Sequence, residues 1–153
     1  MSARKNIIPV FVPHLGCPND CVFCNQRRIS GSLAPATPES VKSAISEGLR
    51  RVPQGADVEL AFYGGSFTAI PAREQEMLLG SALPFLRDGA IKSIRISTRP
   101  DAVDEETLSR LAAFGVTTIE LGAQSMSDRV LELSGRGHTA ADTARAAEMI
   151  KRA

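Results

Sequence analysis

Three cysteines within eight residues, Cys17, Cys21 and Cys24, constrain this chain more than any other feature. They are the only cysteines in 153 residues, and their spacing is Cys-x3-Cys-x2-Cys. A cubane iron–sulfur cluster has four iron corners and normally takes four thiolates. Three cysteines therefore leave one iron free to bind a small molecule. The segment predicts a loop that holds a cluster with one open coordination position.

Other uses of the cysteines fit the pattern less well. A structural zinc site needs four nitrogen or sulfur ligands, and the fourth would have to be His14 or the distant His138. A redox pair formed by Cys21 and Cys24 leaves Cys17 without a role. A disulfide framework conflicts with the odd number of cysteines. Zinc remains the main alternative to a cluster.

The composition is that of a globular domain. Hydrophobic residues make up 43% and charged residues 23% of the chain, which excludes a disordered protein. The net charge of +1 gives no strong basic field for nucleic acid. The apolar stretch near the N-terminus is too short for a signal peptide or a membrane span. We therefore expect a cytoplasmic protein without a membrane partner.

Strand and helix patterns alternate along the chain. The predicted strands cover 7–12, 58–63, 91–97 and 116–121, and the predicted helices begin near Pro38, Pro71, Asp104, Asp128 and Ala140. Thr37 and Thr139 are suitable N-caps, and Pro84 should kink or end the second helix. Residues 13–36 show no periodicity, as expected for a loop that wraps a cluster.

Four consecutive βα units predict an α/β fold, a partial TIM-like barrel with a parallel sheet and outer helices. A complete eight-unit barrel needs roughly 250 residues. We therefore expect residues 1–153 to be the N-terminal part of a larger enzyme core, whose C-terminal part is missing from this chain.

Charged residues recur on one face of the predicted strands. By strand alternation, Glu59, Arg95 and Glu120 should line the barrel interior, and Arg95 should be buried and paired with one of the two acids. This set is either a structural ion-pair network or part of a polar ligand cavity. Both interpretations can hold together.

Each strand also ends in residues suited to a ligand. The second ends in Tyr-Gly-Gly-Ser-Phe (63–67), the third in Ser-Thr-Arg-Pro-Asp (97–101) and the fourth in Glu-Leu-Gly-Ala-Gln-Ser (120–125). Active sites of such barrels lie at the carboxyl ends of the strands.

These motifs, the cysteine spacing and the aromatic Phe23 before the third cysteine resemble the radical S-adenosylmethionine (SAM) superfamily. The runs 64–71, 98–101, 120–125 and 136–139 are most similar to its Elp3-like group. The resemblance implies a [4Fe-4S] cluster on Cys17, Cys21 and Cys24, with SAM chelated at the open iron. It also implies reductive cleavage of SAM to a 5′-deoxyadenosyl radical, driven by a reductant such as ferredoxin or flavodoxin.

The resemblance further implies which residues contact SAM. Gly64 and Gly65 would hold its amino group, with Ser66 where the family has an acid. The other implied contacts are the backbone around Phe23 for the adenine, Gln124 and Arg136 for the ribose and carboxylate, and Ser97 or Thr98. No residue is assigned a catalytic role. His138 is either a local hydrogen-bond partner at a helix start or a ligand contact.

The substrate stays open at this point. Elp3 modifies wobble uridine in tRNA, which makes RNA a possible partner. However, Elp3 has a wider spacing between its first two cysteines and an acetyltransferase domain that nothing here resembles. Oxygen-independent coproporphyrinogen oxidases share the cysteine spacing, and the resemblance to them is an equally good guide to the substrate. A zinc- or cluster-binding module without catalysis is the remaining alternative.

Overall fold

The computed structural model describes residues 5–12, 36–64, 66–122, 126–133 and 138–152. Their strands form one parallel sheet in the order β1-β2-β3-β4, composed of β1 (Asn6–Val12), β2 (Val58–Gly64), β3 (Ser93–Thr98) and β4 (Val116–Leu121). The helices are α1 (Pro38–Arg50), α2 (Ala72–Arg87), α3 (Glu105–Ala113), α4 (Asp128–Leu133) and α5 (Ala140–Arg152). The predicted succession of four βα units is confirmed.

The helix starts follow their capping residues. The hydroxyl of Thr37 accepts a hydrogen bond from the backbone N–H of Ser40 at 3.1 Å, as predicted for the start of α1. Thr139 likewise accepts from the N–H of Asp142 at 3.2 Å at the start of α5. Such a cap stabilises a helix by about 1 kcal/mol.

Two boundaries differ from the sequence-based expectation. Of the two effects expected of Pro84, ending the helix is wrong, because α2 continues to Arg87 and the Pro84 carbonyl accepts the N–H of Asp88 at 3.1 Å; a kink stays a prediction. The third strand begins at Ser93 and not at Ile91, although Ile91 is itself buried in the core. Short 3₁₀ turns at Phe67–Ala69 and Pro100–Ala102 were not predicted. The first begins three residues after the end of β2 and the second two residues after the end of β3.

One face of the sheet packs against the helices. Its core includes Val10, Leu60, Phe62, Ile94 and Ile96 from the strands and Val41, Ile45, Leu78 and Leu79 from α1 and α2. Burying each such side chain contributes about 1.5–3 kcal/mol. A smaller cluster of Val103, Leu108 and Ala146 attaches α5 to the same side. The apolar strand phases expected from the sequence are thereby confirmed.

Within the described part of the chain, no helix is long and apolar enough to cross a bilayer.

Candidate functional site

The face of the sheet opposite the helices carries the polar residues. On β1 the residues at 8, 10 and 12 are buried, whereas Ile7 and Phe11 have 45% and 38% of their surface exposed. Ile7 is paired with Glu59 and Phe11 with Tyr63 in the β1–β2 register, so these residues share the opposite face. Among the described residues, this face is the more accessible side of β1.

Glu59 is the centre of an ion-pair network on this face. Its side chain is fully buried and accepts hydrogen bonds from Ser93 Oγ at 2.7 Å, Arg95 Nε at 2.7 Å and Lys5 Nζ at 3.1 Å. Burial alone raises the pKa of Glu59, but the bonds from Ser93, Arg95 and Lys5 outweigh it and lower the pKa overall. The carboxylate is thus held in its charged form inside the protein.

Arg95 links this buried acid to a more accessible one. Its Nη1 donates to Glu120 Oε1 at 2.5 Å, and Ser97 Oγ donates to Glu120 Oε2 at 3.2 Å. Glu59 and then Glu120 raise the pKa of Arg95 through these hydrogen bonds. The predicted pairing is confirmed for both acids. The expectation that Arg95 is buried is wrong in degree, because 23% of its side chain is exposed on the accessible face.

Three hydroxyl groups join the ends of β2 and β3. Ser66 Oγ and Thr98 Oγ1 lie 2.8 Å apart in a buried hydrogen bond, and Thr68 Oγ1 is hydrogen-bonded to the same Thr98 hydroxyl. Ser66 also accepts the backbone N–H of Arg99 at 3.2 Å. The hydroxyls of Ser66 and Thr98, both predicted to contact SAM, are therefore engaged in holding these two strand ends together. A role in binding SAM stays a prediction for both.

Gly64 allows the ends of β1 and β2 to meet. Its φ is +99°, and a Cβ placed on it would lie 2.1 Å from the carbonyl oxygen of Val12. Only glycine fits such a backbone position and such a close approach. Because Val12 lies five residues before Cys17, this contact brings the end of β2 next to the strand that precedes the cysteines in the sequence.

Gln75 supports the turn after β2, and the sequence analysis did not identify it. Its buried Nε2 donates to the carbonyls of Ile70 at 2.8 Å and Thr68 at 3.2 Å, while Arg110 Nη1 donates to its Oε1 at 3.3 Å. Gln75 lies three, four and seven residues before Leu78, Leu79 and Ala82, the apolar residues of α2 that face the core. A polar residue within the apolar stripe of α2 was the sequence signal that could have identified Gln75 as a buried hydrogen-bonding residue.

Arg99, whose side chain is buried, forms an ion pair with the partly exposed Asp101 at the end of β3. Its Nε and Nη2 donate to the two carboxylate oxygens of Asp101 at 2.9 and 2.8 Å. The Arg99 side chain is only 4% exposed, so its buried charge would be costly without such a partner. This pair orders the 3₁₀ turn that begins at Pro100.

The structure brings together four of the predicted SAM contacts. Gly64, Ser66, Ser97 and Thr98 lie at or just after the carboxyl ends of the adjacent strands β2 and β3. The others, Phe23, Gly65, Gln124 and Arg136, lie outside the described residues, as do the three predicted cluster ligands Cys17, Cys21 and Cys24.

The parts of the chain that the structure describes contain no group of three or more His, Cys, Asp or Glu able to hold a metal ion. His138 is buried, with 4% of its surface exposed, just before α5. Asp142 has a lowered pKa because it accepts the N–H of Thr139, with a smaller electrostatic contribution from His138. Whether His138 also contacts a ligand stays open.

The sequence of this chain is similar to that of a known protein family. The sequence pattern of the radical SAM superfamily matches residues 11–153. The tRNA uridine(34) acetyltransferase of Methanocaldococcus infernus is 28% identical over 94% of this chain and 33% of its own length. The oxygen-independent coproporphyrinogen-III oxidase-like protein HemZ of Bacillus subtilis is 28% identical over 91% of this chain and 29% of its own length.

The fold comparison agrees with these relatives. The structure of Elp3 from the archaeon Methanocaldococcus infernus superposes with a TM-score of 0.67 at 20% identity, over 95% of this chain and 35% of that one. The chain thus spans about a third of the length of the proteins it matches, and it shares their α/β fold. With a family match that includes the cysteine segment and all but the first residues of the chain, this protein belongs to the radical SAM superfamily.

Proposed function

We propose that this protein is the SAM-binding core of a radical SAM enzyme, with a [4Fe-4S] cluster on Cys17, Cys21 and Cys24. The observation that carries the proposal is the family match over residues 11–153, which includes all three cysteines in the spacing of an open-corner cluster. When bound and reduced, such a cluster supplies the electron that splits SAM into methionine and a 5′-deoxyadenosyl radical. A ferredoxin or flavodoxin is the proposed electron donor.

The residues present fit these cofactors. Three thiolates are the donor set that a cluster takes when one iron must stay open. The Gly64 backbone passes so close to Val12 that no side chain can stand between β2 and the segment leading to the cysteines. A larger residue at position 64 would therefore displace the end of β2 from β1. Gly65, Gln124 and Arg136 are the further contacts proposed.

The chain's own groups keep this end of the sheet rigid. The hydroxyls of Ser66, Thr68 and Thr98 tie the β2 loop to β3, and Gln75 holds the carbonyls of the following turn. Since catalysis depends on holding reacting groups within fractions of an ångström, we assign these residues a positioning role. None of them is proposed to react.

RNA is the substrate class that we favour. The M. infernus relative named for tRNA uridine(34) supports it, as does the Elp3-like character of the motifs over 64–71 and 98–101. A porphyrinogen substrate is the second candidate, supported by the similarity to the HemZ protein. Both candidates require the same cluster and SAM chemistry.

Anaerobic reconstitution tests the proposal. The protein should take up iron and acid-labile sulfide in a 1:1 ratio and become brown, and Cys17→Ala, Cys21→Ala or Cys24→Ala should each abolish the colour. Ser81→Ala, a buried hydroxyl on α2, serves as a control for general damage and should retain the cluster. Stoichiometric zinc with no sulfide would instead support the zinc site and refute the proposal.

A further inference from the structure

We propose that Tyr63, Ser97 and Glu120 form a subsite that binds a nucleobase through its N–H edge, on the accessible face of the sheet. The inference rests on the proposed function, because it concerns the same side of the same site. It goes further by naming the residues that would recognise a ligand and the chemistry that they select.

The strand register places the three residues side by side. Ala61 is paired with Arg95, so Tyr63 and Ser97, two residues further along each strand, are level and share a face. Ser97 is paired with Glu120 on the next strand. With neighbouring strands about 4.8 Å apart, the backbones of Tyr63 and Glu120 are separated by about 10 Å. A planar ring can lie above Ser97 between the two larger side chains.

Glu120 offers an ordered carboxylate to a ligand. Arg95 holds its Oε1 and Ser97 holds its Oε2, yet 45% of the side chain is exposed. An ionised carboxylate has about four lone-pair positions, and these two bonds use only two of them. Glu59, on the other side of Arg95, is fully buried. The network thus fixes Glu120 in position while leaving acceptor capacity on its accessible side.

The electrostatics of the face select the kind of ligand. Lys5 and Arg95 together balance the charges of Glu59 and Glu120, and the accessible carboxylate of this network is that of Glu120, whose side chain is 45% exposed. A ligand that carries carboxylates would be repelled, whereas an N–H donor would gain a charge-assisted hydrogen bond.

An aromatic side completes the subsite. Tyr63 is half-buried on β2, and the ring of Phe11, next to it on β1, is 38% exposed. Phe11 Cε1 lies 3.2 Å from the position of a Cβ on Gly64, so this ring covers the end of β2. Aromatic faces stack with any base and contribute roughly 1–3 kcal/mol per base. Aromatic rings on one side of the subsite and the Glu120 carboxylate on the other suit a nucleobase, which can stack and donate an N–H.

The base can come from two sources, the adenine of SAM or an RNA substrate. Tyr63 is the only tyrosine of the chain. In protein labelled with ¹³C-tyrosine, the ring signals of residue 63 therefore report on this face without interference. We would titrate reconstituted and cluster-free protein with uridine, adenosine and the methylated analogues 3-methyluridine and N6,N6-dimethyladenosine, which lack the N–H donor.

Unmethylated uridine or adenosine should shift the Tyr63 ring signals, and methylation should weaken binding about tenfold, as expected for one charge-assisted bond. Glu120→Gln should cause a similar loss, whereas Glu105→Gln on the outer helix α3 should not. Displacement of the nucleoside by SAM in the cluster-loaded protein would assign the subsite to adenine. Simultaneous binding of nucleoside and SAM would assign it to an RNA base.

Equal binding of methylated and unmethylated nucleosides, or no shift at Tyr63 with any of them, would overturn the inference. The comparison of ligands uses the wild-type protein, so it does not depend on a variant that folds poorly. The readout requires no turnover. A protein that binds iron and sulfide but shows no nucleoside binding would refute the subsite while leaving the proposed function intact.

Discussion

Replacing Arg95 by methionine should destabilise the protein through the acid that it leaves behind. Glu59 is fully buried, and Arg95 provides one of its three hydrogen-bond donors. Removing one partner of a buried ion pair costs about 3–5 kcal/mol. Two features reduce this value here, because Ser93 and Lys5 still bind Glu59 and the Arg95 side chain is 23% exposed. We therefore expect a loss of about 2–3 kcal/mol in the free energy of unfolding.

The exposed pair with Glu120 adds little to that figure. Glu120 is 45% exposed, and ion pairs at the surface contribute about 0–1 kcal/mol. For a chain of this length, each kcal/mol corresponds to about 2–4 °C. Arg95→Met should therefore lower the melting temperature by about 4–12 °C. Urea denaturation followed by circular dichroism should give a lower midpoint with an unchanged slope.

A matched control and a second variant separate this cause from others. Arg73→Met, at an exposed position of α2, removes the same charge and should change stability by no more than about 0.5 kcal/mol. Combining Arg95→Met with Glu59→Gln should cost less than the sum of the two single changes, because the unpaired buried charge is then absent. If Arg95→Met were as harmless as Arg73→Met, the assigned role of Arg95 would be refuted.

Three further predictions follow from the same contacts. Gly64→Ala should cost more than Gly55→Ala, because both have positive φ but only Gly64 has a backbone oxygen 2.1 Å from the added Cβ. We expect at least about 2 kcal/mol against about 1 kcal/mol, and equal losses in thermal melts would contradict the contact. Because the pKa of Glu59 is lowered in the folded protein, its stabilisation is complete above the ordinary glutamate value of about 4.3 and is lost as the pH falls through the lower folded value. Urea midpoints of Glu59→Gln should thus vary less with pH than those of wild type below about pH 4.5, and parallel curves would refute this. Thr37→Ala should lower the free energy of unfolding by about 1 kcal/mol, because it removes the cap of α1. Ser43→Ala, at an exposed position within α1, should be nearly neutral.

The sequence predicted the strands and their faces well, because hydrophobic alternation reports directly on burial. The pairing of Arg95 with Glu59 and Glu120 could be predicted because the alternation places these three side chains on the same face of the sheet. The degree to which Arg95 is buried could not be predicted in this way, because its exposure depends on what covers the polar face of the sheet. Alternation cannot reveal that.

The local structure after the strands was less predictable. The Ser66 hydroxyl joins Thr98 and the N–H of Arg99 across two strands, which the Gly-Gly-Ser motif did not indicate, and the SAM contact of Ser66 stays a prediction. Such a bond depends on partners more than 30 residues away along the chain. Gln75 was missed for the same reason, since the carbonyls that it binds belong to a 3₁₀ turn with no periodicity of its own.

The predicted SAM contacts also show the limit of sequence reasoning. The order of the βα units was enough to place Gly64, Ser97 and Thr98 at neighbouring strand ends. Gln124 and Arg136 were assigned from family motifs alone, and they lie outside the described residues. Their role as SAM contacts therefore stays a prediction.

Measuring SAM binding with and without the cluster decides whether an open iron corner anchors SAM at the end of this sheet. Isothermal titration under anaerobic conditions would compare reconstituted wild-type protein, cluster-free protein and the Cys21→Ala variant. We expect saturable binding of one SAM per cluster in the reconstituted protein and a large loss of affinity in the cluster-free protein and in Cys21→Ala. Equal affinity of the reconstituted and cluster-free proteins for SAM would contradict this expectation.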